Sequence, residues 1–366
     1  MSAAAEPRRA LHVFATFGRG GPQVRTTQLV TAMGAGWHHD ILAMDGDTGA
    51  SALLARDRSW DLLPAPPRRG VAASARAFVR LLRARDPDLL LTYNWGAIEA
   101  CAAARWLGWT RHVHHEEGFG PAEQQRRHLR RNLLRRAVLG RCAAVVVPSA
   151  NLLSIARGEW RLDDTRAVHL PNGVDTARFA PPPPGAVEAR PFTVGAVGGL
   201  RAEKDHATLL RAVAAMQQAA CVRLVGDGPE RPALTALAAE LGLGARVTFE
   251  GSVTDPAPFY RQMDAFALSS RTEQMPISLL EAMATGLPVA ATDVGDVRRM
   301  LPEGSRDGLA PAGDPMALAR ALDRLAADPG RRRREGEANR QHCERHYELR
   351  ECLARYTALY ERVARG

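Results

Sequence analysis

The chain has 366 residues, of which 46% are hydrophobic and 24% charged, as expected for a globular protein of about two domains. Its net charge of +9 predicts anionic partners, which could be nucleic acid, a membrane surface or phosphorylated metabolites. The five cysteines lie far apart without a C-x-x-C pair, which argues against a disulfide framework or a zinc motif and favours a reducing cytosol.

The first twenty residues are interpreted as the start of a buried strand rather than as a targeting segment. The apolar run "LHVFATF" is short and ends in glycines, unlike a signal peptide. No segment approaches the roughly 20 apolar residues that a membrane span needs. We therefore expect a soluble or at most peripheral protein.

Short apolar runs alternate with helical patterns along the whole chain, which is typical of parallel sheets with crossover helices. The predicted strands are residues 11–17, 39–44, 88–93, 112–115, 143–149, 167–170, 192–198, 221–226, 246–251, 264–270 and 287–292. The proline run "APPPPG" at 180–185 divides them as a stiff spacer. This pattern predicts two doubly wound, Rossmann-like α/β domains facing a cleft, with ligands bound beyond the carboxyl ends of the strands.

The loop after the first strand, "GRGGPQ" at 18–23, precedes a helix predicted from about Val24. Gly20 and Gly21 would let backbone N–H groups approach a phosphate at the start of that helix. A simple tight turn explains the same residues equally well. The spacing is not G-x-G-x-x-G, so a dinucleotide fingerprint is not indicated.

The segment "QQRRHLRRNLLRRAVLGR" at 124–141 predicts an amphipathic helix with a cationic face. Such a helix could rest on anionic lipid headgroups or hold a lipid-linked diphosphate, and a solvated arginine face is the alternative. The candidate acceptor or membrane contacts are Arg126, Arg127, Arg130 and Arg131.

Lys204, in "RAEKD" at 201–205, is the only lysine of the chain, so all other basic residues are arginine. An ammonium is a compact point charge, whereas a guanidinium is a rigid planar fork. The exception to the arginine preference therefore predicts a site that needs the smaller cation.

The segment 269–292 carries two glutamates eight residues apart, Glu273 in a loop and Glu281 in the helix that follows. Pro276 stands where a first helical position is expected. The start of a helix favours a diphosphate, and a carboxylate one and a half turns along can accept from two ribose hydroxyls. Taken singly, each glutamate is better explained by a solvated helix face or a helix cap.

The C-terminal segment 347–366 has apolar residues at helical spacing, so one face of this helix must be buried. These residues are Leu349, Leu353, Tyr356, Leu359, Tyr360 and Val363.

Together these motifs resemble the family 4 retaining glycosyltransferases of the GT-B fold. The resemblance covers nearly the whole chain. Its motifs are the glycine loop at 18–21, "VPSANL" at 147–152, "LPNGVDTARF" at 170–179, "VGGLRAEKD" at 197–205, "VGDGPE" at 225–230, "VTFEGSV" at 247–253 and "LLEAMATGLPVAATDVG" at 279–295. It implies an N-terminal acceptor domain (1–185), a nucleotide-sugar domain (186–345) and a last helix (346–366) that returns to the first domain.

The resemblance also implies sugar transfer from a UDP- or GDP-linked donor, without a metal or other cofactor. The acceptor would be a bacterial surface polysaccharide or lipid-linked oligosaccharide, and the enzyme would be cytoplasmic or peripheral on the cytoplasmic face of the inner membrane. The donor-binding residues that it implies are Gly20, Gly21, Arg201, Lys204, Gly226, Glu273, Met275, Pro276, Ile277 and Glu281.

This chain departs from the family pattern at three places. Gly199 stands where an arginine is usual, so the cation beside Lys204 is assigned to Arg201. Gln274-Met275 replaces the usual Gly-Phe after the first glutamate. Glu117 occupies the position of a histidine near the acceptor, and whether it or His115 faces the reacting sugar is left open. The resemblance makes Lys204, Arg201, Glu273, His115 and Glu117 the catalytic candidates.

Two alternatives from other classes are considered. "DGD" at 45–47 imitates the D-x-D motif of metal-dependent glycosyltransferases of the GT-A fold, although a loop explains it better. An arginine-rich protein that binds nucleic acid or membranes without catalysis is the other. It is disfavoured because only 5% of the residues are aromatic and none lies between the arginines of 124–141.

Overall fold

The computed structural model describes residues 6–67, 71–119, 123, 128–183 and 190–366. The chain forms two compact units. The first consists of Met1–Pro171 and Glu351–Gly366, and the second of Asn172–Arg350.

Seven parallel strands form the sheet of the first unit, in the order β3-β2-β1-β4-β5-β6-β7. Their bounds are β1 (Arg8–Phe14), β2 (Trp37–Ala43), β3 (Ser59–Leu63), β4 (Leu89–Tyr93), β5 (His112–His115), β6 (Ala144–Val147) and β7 (Ala167–His169). Six of them match predicted apolar runs. The strand β3 was missed because it lies at the sheet edge and has no buried side chain.

The helices of this unit cover both faces of the sheet. They are α1 (Gly21–Met33), α2 (Val71–Arg85), α3 (Ile98–Leu107), α4 (Leu129–Leu139) and α5 (Ala150–Gly158). Alternate residues of β1 belong to different apolar clusters: Phe14 packs with α1, whereas Leu11 and Val13 pack with α2 and α3. The unit is therefore a doubly wound sheet, as predicted.

Six parallel strands form the sheet of the second unit, in the order β10-β9-β8-β11-β12-β13. The strands are β8 (Thr193–Val197), β9 (Cys221–Val225), β10 (Val247–Gly251), β11 (Ala265–Leu268), β12 (Val289–Thr292) and β13 (Leu309–Ala310). The helices are α6 (His206–Ala215), α7 (Arg231–Glu240), α8 (Ala257–Tyr260), α9 (Ile277–Ala284), α10 (Val297–Met300), α11 (Pro315–Ala327) and α12 (Pro329–His346). The last helix, α13 (Leu349–Ala364), belongs to the first unit from Glu351 onwards. The chain order reverses between β8 and β11, and ligands of such sheets bind at this point.

The division between the units differs from the predicted boundary at the proline run 180–185. It falls between Pro171 and Asn172, because the residues before the prolines pack on the second unit. Val174 pairs with Glu348, and Phe179 lies in the same apolar cluster as Tyr260. The prolines are thus preceded by a segment that is anchored by backbone pairing at Val174 and by the buried side chain of Phe179.

The helix α13 buries one face against the sheet of the first unit. Its buried residues are Cys352, Tyr356, Leu359, Tyr360 and Val363. The hydroxyl of Tyr356 donates to the carbonyl oxygen of Leu170 at 2.9 Å. The chain therefore passes to the second unit at 172 and returns to the first at 351.

A row of polar rings lies beneath α13. The ring nitrogens of His39 and His12 are 3.0 Å apart, and the other nitrogen of His12 is 3.1 Å from the Tyr93 hydroxyl. Tyr93 stacks on His115, whose Nε2 is 2.9 Å from the Tyr360 hydroxyl. Burial lowers the pKa of His12 and His115 well below 6.5 and that of His39 to about 4, with neighbouring charges adding to the effect.

We expect this row to make the protein sensitive to acid. The three pKa values are depressed in the folded state, so the stability is complete above about pH 6.5 and is lost as the pH falls towards 4. The free energy of unfolding should fall by up to about 4 kcal/mol per pH unit, because each of the three histidines takes up one proton on unfolding. Urea titrations from pH 4.5 to 7 measure it. His39→Gln should flatten the slope by one proton, whereas the exposed His128→Gln should not; equal slopes would contradict the explanation.

No helix among the described residues is both long enough and apolar enough to cross a membrane.

Candidate active site

The loop that carries Lys204 follows β8 and ends in a short helical turn, Ala202–Lys204. It packs backbone against backbone on the glycine loop after β9. A β-carbon on Gly226, whose φ is +140°, would lie 2.0 Å from the carbonyl oxygen of Gly198. Only glycine fits at this approach, so the structure gives Gly226 a part in shaping the loop. Asp205 then caps α6 by accepting from the Thr208 N–H.

Lys204 meets Glu273, which is 69 residues further along the chain. The lysine Nζ donates to Glu273 Oε1 at 2.6 Å, and the Ser270 hydroxyl donates to the same oxygen at 2.7 Å. The two loops converge because they follow β8 and β11, which are neighbours in the sheet. The side chains of Lys204 and Glu273 are 18% and 10% exposed, so the pair is partly shielded from water. Ser270 was not predicted, and its position three residues before Glu273 was the only sequence signal.

The loop from Ser270 to Met275 is held from several sides. The Thr292 hydroxyl donates to the carbonyl oxygen of Ser270 at 2.7 Å. The side-chain amide of Asn172 donates to the carbonyl oxygen of Met275 at 2.9 Å. A β-carbon on Gly295, whose φ is +56°, would lie 2.2 Å from the carbonyl oxygen of Glu273. The position of the Glu273 carboxylate is therefore set by backbone packing on both sides.

Helix α9 begins directly after this loop. Pro276 precedes the helix as its N-cap residue rather than as its first helical position, because its ψ of 120° is extended; Ile277 is the first helical residue. Proline has no side-chain acceptor, so Pro276 itself makes no capping hydrogen bond. Met275 is buried and its sulfur accepts from the backbone N–H of Asn172 at 3.3 Å, so it contributes to packing.

Glu281 lies half-buried on α9 and accepts a hydrogen bond from the Tyr260 hydroxyl at 2.7 Å. Burial raises the pKa of Glu281 to about 7, although this hydrogen bond and the charge of Arg178 act to lower it. The carboxyl therefore titrates close to neutral pH.

Arg201 is exposed and forms an ion pair with Glu203 at 2.7 Å. Its Nε lies 3.5 Å from the position that a β-carbon on Gly199 would take. The guanidinium thus reaches over the residue at which the family pattern has an arginine.

Gly20 and Gly21 in the first unit form the N-cap and the first residue of α1, which begins earlier than Val24. The loop before them lies against "DGD". The Asp45 carboxylate accepts from the Asp47 N–H and the Asp47 carboxylate from the Gly49 N–H, each at 2.9 Å. These carboxylates stabilise a turn, and the D-x-D interpretation has no support here.

Glu117 and His115 have different surroundings. The Glu117 carboxylate is paired with the buried guanidinium of Arg25, with one N–O distance of 3.0 Å. Arg25 also lies over the ring of Tyr356. His115 is fully buried and contacts Tyr360 rather than solvent. In this arrangement neither side chain is available as a free base. The Glu117 carboxylate is paired with Arg25, and His115 is enclosed within the protein.

Arg126 and Arg127 lie outside the described residues. Arg130 is exposed on α4, whereas Arg131 donates to Glu123 at 3.1 Å and lies over the ring of Trp95. The sequence did not predict that α4 also turns one arginine into the protein.

Arg135 is 1% exposed and is the centre of a buried charge network. It donates to both oxygens of Glu123 at 3.0 Å and to Glu116 at 3.2 Å. Burial alone would raise the pKa of Glu123. The pKa is nevertheless lowered, because Arg135 and Arg131 donate hydrogen bonds to the carboxylate. This network fixes α4 to the loop after β5.

Within the described residues, one group of side chains is close enough to share a metal ion: His38, Asp40 and Asp61. Asp40 already contacts Arg9 at 3.4 Å and Arg85 at 3.7 Å. These cations neutralise its charge, and the group belongs to the unit that does not contain Lys204 and Glu273.

Two doubly wound α/β units, with glycine-rich loops after β1 and after β9, are the features of the GT-B class of proteins. Residues 19–178 match the description "Glycosyltransferase Family 4" and residues 191–328 match "Glycosyl transferases group 1". The chain belongs to this family of glycosyltransferases.

Curated relatives match part of the chain. A D-inositol 3-phosphate glycosyltransferase of Salinispora tropica is 35% identical over 196 residues, which cover 46% of this chain and 41% of that protein. The lipopolysaccharide core biosynthesis glycosyltransferase LpsE of Rhizobium meliloti is 34% identical over 144 residues, which cover 39% of this chain and 42% of LpsE. The chain thus spans less than half the length of these relatives.

Solved structures match nearly the whole chain in fold. Sucrose-phosphate synthase from Thermosynechococcus elongatus has a TM-score of 0.82 at 24% identity, and the match covers 97% of this chain and 99% of the synthase chain. Anabaena HepE in complex with UDP and glucose has a TM-score of 0.79 at 17% identity, and the match covers 96% of this chain and 99% of the HepE chain. These likenesses confirm the GT-B fold that the sequence predicted.

Proposed function

We propose that this chain transfers a sugar from a UDP- or GDP-linked donor to a polysaccharide or lipid-linked oligosaccharide, with retention of anomeric configuration. The observation that carries the proposal is the convergence of Lys204, Ser270 and Glu273 in the loops before the start of α9. The family membership and the UDP found in a structural neighbour support it.

Each residue has a task in this proposal. In transfer the bond between the sugar C1 and the diphosphate oxygen breaks, and a bond from C1 to the acceptor hydroxyl oxygen forms on the same face. The proton of that hydroxyl passes to the departing diphosphate. Lys204, Arg201 and the first N–H groups of α9 stabilise the charge that develops on the diphosphate. Glu281 accepts from the ribose hydroxyls and Glu273 from the donor sugar.

We further propose that these cations replace a divalent metal. Fixed positive charge aimed at the leaving diphosphate supplies the stabilisation that Mg²⁺ provides elsewhere. Transfer that stops in EDTA and returns with Mn²⁺ would contradict this proposal and favour the metal-dependent class.

The two glutamates are expected to differ in their kinetic effects. Glu281→Ala should weaken UDP or GDP binding by about 2 to 3 kcal/mol, since a charged hydrogen-bond acceptor is lost. Glu273→Ala should mainly lower kcat. Titration calorimetry and transfer assays measure both, with the exposed Glu303→Ala as the control. Unchanged affinity in a folded Glu281→Ala protein would contradict the assignment.

The same preparations separate an enzyme from a nucleic-acid-binding protein. A nucleoside diphosphate that binds the folded state should raise Tm. An oligonucleotide that raises Tm while UDP and GDP do not would favour the non-catalytic class.

We propose that the acceptor is reached at the cytoplasmic face of a membrane, through α4. Its exposed residues include two leucines, Leu129 and Leu133, which are 73% and 56% exposed, and two arginines, Arg130 and Arg136. Exposed leucines flanked by arginines suit the interface of an anionic bilayer. Relatives named for lipopolysaccharide core biosynthesis and for a phosphatidylinositol mannoside point to membrane-bound acceptors.

Vesicle binding tests this surface. Replacing Leu129 and Leu133 with asparagine should weaken binding to phosphatidylglycerol vesicles about tenfold, because their apolar area no longer leaves water. Met316→Asn, at an exposed apolar residue of the second unit, is the control. Equal sedimentation of all three proteins, or equal binding to neutral phosphatidylcholine, would exclude this face as an anionic-membrane contact.

A further inference from the structure

We infer that the hydroxyl of Tyr260 is a positioning group for nucleotide recognition, because it orients the Glu281 carboxylate towards the ribose. The inference rests on the proposed function, which assigns the ribose hydroxyls to Glu281. Tyr260 lies 21 residues before Glu281, in the short helix α8, and the sequence patterns did not single it out.

The geometry gives this hydroxyl two acceptors on α9. It lies 2.7 Å from Glu281 Oε2 and 3.1 Å from the carbonyl oxygen of Ser278, in the first turn of the helix. The Tyr260 ring is fully buried and lies 5.8 Å from the Phe179 ring and 5.9 Å from the Phe266 ring. Because the ring is enclosed in this way, packing fixes the position of its hydroxyl oxygen beside Glu281.

Among the described residues Tyr260 is the one side chain that donates a hydrogen bond to Glu281. The other charges that act on this carboxyl are Arg178 and Asp255, which pair with each other at 2.9 Å. A half-buried carboxylate without a donor is costly to ionise. The Tyr260 hydroxyl therefore both aims the carboxylate and favours its charged form.

A consequence for pH follows from this contact. Burial raises the pKa of Glu281 to about 7, and the hydrogen bond from Tyr260 opposes that rise. A ribose hydroxyl binds more strongly to the ionised form, so nucleotide affinity should increase as the pH rises through about 7. Loss of the Tyr260 donor raises the pKa of Glu281 further and moves this midpoint to higher pH.

Tyr260→Phe tests the inference, because phenylalanine keeps the ring and removes the hydroxyl alone. We expect the variant to bind UDP, or GDP if that is the better ligand of the wild type, about tenfold more weakly at pH 7. The difference should shrink by pH 8.5, where both carboxylates are ionised. Calorimetric titrations from pH 5.5 to 8.5 measure it, and the titration of the nucleotide phosphates is common to all proteins compared.

Tyr356→Phe is the matched control. It also removes a buried hydroxyl, which donates to the carbonyl oxygen of Leu170 in the first unit, so UDP affinity should be unchanged. The Tm of each variant shows that it is folded.

Glu281→Gln separates the possible failures. If Glu281→Gln binds UDP weakly but Tyr260→Phe keeps the wild-type affinity and midpoint, Tyr260 has no positioning role and the proposed function stands. A weaker Tyr260→Phe with an unmoved midpoint would mean that the hydroxyl does not act through the Glu281 carboxyl, which also overturns the inference. If Glu281→Gln binds as the wild type does, the ribose assignment itself fails.

Discussion

Lys204→Ala is expected to lower kcat by about two to three orders of magnitude, the usual effect of losing one preorganised charge-stabilising donor. The ammonium is poised at the site, since it lies 2.6 Å from Glu273 and is only 18% exposed. Transfer assays at saturating donor measure the effect. Arg298→Ala, which removes a half-exposed cation of the same unit, should leave kcat unchanged.

Lys204→Arg shows which property of the lysine matters. It keeps the charge and changes the shape, so near-normal activity would mean that charge alone is required. A deep loss would mean that a compact ammonium is required in the space beside Glu273 and Ser270.

Chemical labelling gives an independent measure. Lys204 is the only lysine, so an amine-reactive probe has one side-chain target besides the chain terminus. Bound UDP or GDP should protect it. Equal labelling with and without nucleotide, together with a fully active Lys204→Ala protein, would remove this residue from the mechanism.

The second large effect is expected at Arg135. Arg135→Met should lower the free energy of unfolding by about 3 to 5 kcal/mol, because Glu116 and Glu123 are left buried without their counter-charge. Urea denaturation measures it.

Two further variants make the Arg135 result interpretable. Arg136→Met, at the exposed neighbour on α4, should change the stability by less than about 0.5 kcal/mol. Adding Glu116→Gln and Glu123→Gln to Arg135→Met should recover part of the loss, since the uncompensated charges are then removed. An Arg135→Met protein as stable as Arg136→Met would show that the network contributes nothing.

Local sequence patterns were sufficient for the plan of the fold. Apolar runs separated by helical patterns predict buried parallel strands, because a central strand must be apolar on both faces. The edge strand β3 and the two-residue strand β13 escaped this reasoning, since neither has such a run. The candidates Lys204, Glu273 and Glu281 were also found from sequence, by their exceptional type and by their spacing.

The orientation of α4 could not be predicted from its sequence. Periodicity suggested a cationic face opposite an apolar one, yet Leu129 and Leu133 face solvent and Arg135 is buried. An arginine is stable inside a protein only where counter-charges surround it, and Glu116 and Glu123 are brought there by the loop after β5.

The sequence by itself determined which residue types the chain could use: one lysine, two spaced glutamates and the glycines of two loops. The tertiary structure alone decided which of them meet. Lys204 contacts Glu273 across 69 residues because β8 and β11 are neighbours at the reversal of strand order, and Tyr260 reaches Glu281 because Phe179 and Phe266 hold its ring. Such contacts depend on strand order and packing between distant segments, and no local pattern of residues encodes them.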